Sequence, residues 1–181
     1  KLTNDEKNYY DIISEKWRSV NSLSGLDHLL FYRYLTTHFK IKHVISEIRH
    51  TLSKGHSVVV GIQNTGESSA KKNEISCIKF KLNQYNIDTR SIDFSLNPID
   101  MIIDVFGQDN VAEISGRSTR PILKNGEMYF EKIPDVPKEI ELFQSNKKKI
   151  AIITRAGTSG ISLHSNIHDS HEGNKRHHII L

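Results

Sequence analysis

The stretch that most constrains this chain is Lys149-Ile150-Ala151-Ile152-Ile153-Thr154, followed at once by Arg155-Ala156-Gly157-Thr158-Ser159-Gly160-Ile161-Ser162-Leu163. A short, continuous apolar run rich in β-branched residues fits a strand buried on both faces, as parallel sheets covered by helices require. It ends in a small, polar, glycine-punctuated segment, which offers backbone N–H groups and two hydroxyls at the carboxyl end of the strand. In open α/β sheets that edge is where phosphates and other ligands bind. The arrangement occurs a second time upstream, where Ser57-Val58-Val59-Val60-Gly61-Ile62 runs into Gln63-Asn64-Thr65-Gly66-Glu67-Ser68-Ser69. Two such strand ends on one sheet would make a surface.

The rest of the chain supplies the helices that such a sheet needs. Residues 4–20 read as a helix with Asn4 as its cap and Tyr9, Ile12, Ile13 and Trp17 at helical spacing. Residues 26–35 read as a second helix, rich in aromatics at Phe31, Tyr32 and Tyr34. Ile41, Val44, Ile45, Ile48 and Leu52 form a further stripe at i, i+3, i+4 spacing, with Gly55 at the stop position. Residues 73–85 suggest helix, and 88–94 strand or loop. Pro98 opens a helix whose apolar face is Met101, Ile102, Val105 and Phe106, and Gly107 closes it. Strands are expected at Val111–Ile114 and 127–133, a short helix at 136–143 through Pro137, and a last strand at 176–181. Alternation of strand and helix gives an α/β fold with a mostly parallel sheet.

Composition narrows the function classes. The chain has 181 residues, enough for one domain with a helical appendage and a sizeable core. Cys77 is the single cysteine, which excludes an internal disulfide framework and a cysteine zinc site. No apolar run reaches the length of a membrane span, and the first residues are too charged for a secretory signal. A formal net charge of +4 permits an anionic partner. The basic clusters Lys71-Lys72, Lys79 and Lys81, Lys147-Lys148-Lys149, and Lys175-Arg176 read singly as solvated flanks, but they lie beside the two glycine-rich edges.

Three phosphate and nucleophile motifs are missing: G-x-x-x-x-G-K-[ST], G-x-G-x-x-G and G-x-S-x-G. If the loops take a nucleotide, they do so as one wall of a shared cleft. The order of the remaining pieces is then informative. Gly61-Ile62-Gln63-Asn64-Thr65-Gly66-Glu67 is followed by Asn110-Val111-Ala112-Glu113-Ile114-Ser115-Gly116-Arg117, by Phe143-Gln144, by Ala156-Gly157-Thr158-Ser159-Gly160-Ile161-Ser162-Leu163, and by Arg176-His177-His178-Ile179-Ile180-Leu181. This series resembles the C-terminal helicase lobe of the strawberry notch family, within the superfamily 2 helicases.

The resemblance implies a RecA-like three-layer domain, its mostly parallel sheet flanked by helices and preceded by N-terminal helices. It implies a division into a helical lead-in at 1–40 and a C-terminal lobe at 41–181, with an insertion at about 70–130. By similarity, residues 61–68 correspond to helicase motif IV and 158–163 to motif V. Gln63, Thr65, Gly66, Ser68, Arg117, Thr158 and Ser159 are then the expected nucleic-acid contacts, with Arg120 beside Arg117 as a further phosphate partner. Gly157, Gly160 and Ser162 are the expected ATP-coupling positions. Physically, small hydroxyl residues hydrogen-bond phosphate oxygens, and glycines let the backbone approach closely. For Arg117, a surface salt bridge is the competing reading.

The family continues into motif VI, whose arginines reach the ATP phosphates, whereas this sequence stops at Leu181. The expectation is therefore a piece of a larger ATPase, inactive alone, binding ATP and Mg only together with a first lobe that carries the P-loop. Expected partners are nucleic acid, DNA ahead of RNA, the first lobe of the same polypeptide, and proteins; no membrane is expected. An intracellular setting follows, nuclear in a eukaryote and otherwise cytoplasmic or a viral factory. The alternative is a non-enzymatic protein-interaction module of a transcriptional co-regulator that keeps the lobe fold. No catalytic residue and no metal site are expected. His164, His168, His171, His177 and His178 sit in or after a polar, glycine-bearing loop. Trp17, Phe31, Tyr32 and Tyr34 read as core rather than a base-stacking platform, Cys77 as a small packed apolar residue, and Asp100, Asp104 and Asp109 as a solvated face.

Overall fold

The computed structural model describes residues 2–20, 23–62, 80–88, 97–124, 127–154, 163 and 175–181. These divide into two compact units, residues 2–43 with 80–88 and residues 44–62 with 97–181.

The first unit is helical. Helix α1 (Asn4–Arg18) is started by Thr3 rather than Asn4. The Thr3 hydroxyl accepts from the Glu6 N–H, and the Glu6 carboxylate accepts from the Thr3 N–H, which satisfies two otherwise orphaned donors. Helix α2 (Gly25–Ser53) is one continuous element of 29 residues where the sequence suggested two. No glycine or proline interrupts residues 36–40, and the Thr36 hydroxyl donates back to the Tyr32 carbonyl at 2.6 Å, so a β-branched pair is absorbed without a break. Ile13, Trp17, Leu30, Phe31, Leu35, Phe39, Leu82 and Ile87 form the core of this unit. Trp17 stacks on Phe31 at 4.2 Å, which makes these aromatics packing residues, as their spacing suggested. Lys81 pairs with Asp27 at 2.6 Å.

The second unit holds the sheet. Strands β1 (Ser57–Ile62), β2 (Val111–Ile114), β5 (Ile150–Thr154) and β6 (Arg176–Ile180) lie in the order β2-β5-β1-β6, every neighbouring pair parallel. Helices α3 (Pro98–Phe106) and α4 (Val136–Gln144) flank it. Asn97 caps α3 by accepting from the Ile99 N–H, and Gly107 ends it at φ 79°, a backbone angle that favours glycine. Val59, Ala112, Ile114 and Ala151 pack with Phe143 of α4 on one face. Glu113 points to the opposite face of β2, where Asp100 of α3 lies within reach through Arg117. The α/β architecture with helices on both sides of a parallel sheet is thus present.

A separate two-stranded antiparallel sheet, β3 (Thr119–Lys124) with β4 (Glu127–Lys132), follows β2. Strand β3 was not anticipated. Its register pairs Lys124 with Glu127, leaving Asn125-Gly126 between them. Asn-Gly between two strand-like runs is the strongest short hairpin signal, and it stood in the sequence.

Candidate nucleic-acid interface

Register fixes what the sheet presents at its carboxyl edge. Ile62, the last residue of β1, pairs with Thr154, the last residue of β5. Ile114, the last residue of β2, pairs with Ile153, and Ile180 of β6 pairs with Gly61. All four strands therefore end along one rim, and the chain leaves β1 and β5 from adjacent points of it. The Thr154 hydroxyl is buried at this rim without a hydrogen-bond partner among the described residues. A buried hydroxyl left unpaired costs on the order of 1–3 kcal/mol.

Gln63, Thr65, Gly66, Ser68, Gly157, Thr158, Ser159, Gly160 and Ser162 lie outside the described residues, as do Cys77, His164, His168 and His171. Arg117 is described, and its side chain is only 2% exposed. Its Nε and Nη2 donate to Glu113 Oε1 and Oε2 at 2.7 and 2.9 Å, and Nη1 pairs with Asp100 Oδ1 at 2.8 Å. The ion pair is therefore buried, not on the surface. Ser115 Oγ donates to Glu113 at 2.6 Å and accepts from the Arg117 N–H. Burial works against the Arg117 charge, yet the hydrogen bonds and charges of Glu113 and Asp100 outweigh it and hold its pKa above the arginine value. Burial pushes the Asp100 carboxyl up, opposed by Arg117. Asp100 is thus not part of a solvated face but one wall of this cluster.

Arg120 is also committed, to Glu131 Oε2 at 2.7 Å and to Gln108, at the foot of the hairpin. A second buried pair guards the free edge of β2. Lys148 Nζ donates to both oxygens of Glu139 and to the Val111 carbonyl, while Glu139 Oε2 accepts from the Glu113 N–H. The Val111 carbonyl and the Glu113 N–H, two backbone groups that point away from β5, are thereby satisfied, which helps to blunt an edge that would otherwise template strand addition. Arg176 lies 4.8 Å over the Phe143 ring, donates to the Leu163 carbonyl at 2.6 Å and to Gln144 Oε1 at 3.1 Å. Three separated motifs, Phe143-Gln144, Leu163 and Arg176, therefore meet at one place.

From the sequence, Glu113 and Glu139 drew no role of their own, Asp100 read as part of a solvated face and Lys148 as part of a solvated basic flank. The signal for Glu113 was its place inside Val-Ala-Glu-Ile, since a carboxylate in a buried run demands a partner. Arg117 four residues on was that partner. Among the described residues, no group of three or more His, Cys, Asp or Glu is placed to hold a metal ion. None of the described helices is long and apolar enough to cross a membrane.

Residues 97–181 match the family described as the C-terminal domain on Strawberry notch homologue. No curated protein and no solved structure matches the chain. The matched region contains three of the four sheet strands, the hairpin and the Glu113–Arg117–Asp100 cluster. Residues 97–181 are thus similar to the C-terminal domain of strawberry notch homologues, and this likeness supports a helicase-like lobe in that part of the chain.

Proposed function

We propose that this chain is the second lobe of an ATP-dependent superfamily 2 helicase or translocase, which grips a nucleic-acid backbone and couples that grip to ATP hydrolysis with a first lobe. The observation that carries the reading is the register pair Ile62–Thr154. It delivers the segments that begin at Gln63 and Arg155 to neighbouring points of one rim, where small hydroxyl and glycine residues suit phosphate oxygens. The family match at 97–181 supports it. In this reading Gln63, Thr65, Gly66, Ser68, Thr158 and Ser159 contact the backbone, and Gly157, Gly160 and Ser162 couple to ATP. ATP and Mg bind between the lobes, with the phosphate-cradling loop supplied by the first lobe, since none occurs in these 181 residues. DNA is the expected polymer, in the nucleus of a eukaryote or in the cytoplasm or viral factory otherwise.

Backbone gripping without base readout predicts weak, sequence-independent, salt-sensitive binding. Fluorescence anisotropy with labelled oligonucleotides of unrelated sequence checks this. Log affinity should fall linearly with log salt, with a slope of about −0.7 per contacted phosphate for single strands. Binding that ignores salt, or that follows base sequence, overturns the reading. A protein-docking role for the N-terminal helices has one observation in its favour, the exposed Leu26 and Leu29 one turn apart on α2. Full nucleic-acid-stimulated ATP turnover by the parent protein after Leu26→Ser and Leu29→Ser would separate docking from the motor.

A further inference from the structure

The corner after β2 sorts its residues into an inward and an outward set. Ser115, Arg117 and Arg120 are buried, while Gly116, Ser118 and Thr119 are exposed. The inward set is fully bound: the Arg117 fork holds Glu113, its third nitrogen holds Asp100, its backbone N–H donates to Ser115, and Arg120 holds Glu131. One guanidinium shared by two carboxylates leaves a local excess of negative charge at Arg117. A phosphate could reach it only by displacing a carboxylate already paired in a low-dielectric site. The outward set is the reverse. Among the described residues, the hydroxyls of Ser118 and Thr119 and the N–H of Gly116 make no hydrogen bond. Ile114 stands at the same rim as Ile62 and Thr154, so this corner begins in line with the other two.

We propose that Arg117 is a positioning residue, one that holds the corner so that Gly116, Ser118 and Thr119 meet the sugar–phosphate chain while it touches no phosphate itself. The inference rests on the nucleic-acid reading above. It differs from the sequence expectation, in which the Arg117 side chain is the contact.

NMR titration of the full 181-residue chain with oligothymidylate tests it. The Gly116, Ser118 and Thr119 amides should move, while the Arg117 Nε–H signal, bonded to Glu113, stays in place. An Arg117 Nε–H shift as large as theirs overturns the proposal. In the free protein, Arg117→Met should displace the 115–119 amides, and it should weaken oligothymidylate binding about tenfold through misplacement of the corner. The salt slope should not change, whereas loss of a direct single-strand phosphate contact would lower it by about 0.7. Arg117→Lys keeps the charge but not the fork, so it should behave like Arg117→Met and guards against a variant that fails to fold. Recovery of full affinity by lysine overturns the proposal. If no amide moves on titration, the nucleic-acid reading fails, and unchanged 115–119 amides in the variants would then overturn the positioning role separately.

Discussion

Glu113 is 2% exposed on an edge strand, and removing one partner of a buried ion pair costs about 3–5 kcal/mol. Its two carboxylate oxygens are occupied by Arg117, and its backbone N–H by Glu139, so the charge is tolerated where a lone carboxylate would not be. Asp27 follows the same logic in the helical unit. Burial alone would raise its pKa, but hydrogen bonds from Lys81 and Ser24 prevail and lower it from 3.8 to about 2. A carboxyl with a depressed folded pKa stabilises above its unfolded value and loses that contribution as the pH falls. The pair should therefore contribute fully above 3.8 and fade toward pH 2, a loss of about 2 kcal/mol. Acid titration followed by Trp17 fluorescence checks this, with Asp27→Asn expected to flatten that limb. Identical acid limbs would remove the pair from the account. Such pairings were half legible: the charged residues stood out in apolar surroundings, but Asp27 and Lys81 are far apart in the chain, and nothing local joins them.

Elements were read best where local signals agree. Helix α3 lies between Pro98 and Gly107 as the sequence indicated, and β1 and β5 are the two apolar runs that precede the glycine-rich segments. Helix α2 was misread as two because its apolar stripe shifts between residues 35 and 41. Periodicity reports which face is buried, and a continuous helix can change the neighbour it faces without ending. Residues up to His43 belong to the first unit and those from Val44 to the second, which accounts for the shift. Thr37→Pro should accordingly cost about 3 kcal/mol, by removing one helical hydrogen bond and clashing with the Arg33 carbonyl. If residues 36–40 were a connection, proline would be nearly neutral in thermal unfolding followed by circular dichroism. Strand β3 was missed for a different reason: Pro121 argues against a strand, and a two-stranded ribbon has room for it where a central strand has none.

Each unit of the molecule has its own hydrophobic core, Trp17 and Phe31 in one, Phe143 with Val59, Ala112 and Ala151 in the other. The sole tryptophan therefore reports the helical unit, whereas circular dichroism reports both. Phe143→Ala should destabilise the sheet unit by about 3–5 kcal/mol. Its circular-dichroism midpoint in urea should drop further than its Trp17 fluorescence midpoint; equal drops would mean that the two cores unfold as one. The presence of parallel strands, of helices between them and of glycine-bearing strand ends followed from the sequence, because hydrophobic period and turn chemistry act over a few residues. Strand order, the alignment of Ile62, Thr154 and Ile114 on one rim, and the inward turn of Arg117 onto Glu113 and Asp100 were decided only by the tertiary structure. Those features depend on which distant residues share a buried, low-dielectric neighbourhood, and no local pattern carries that.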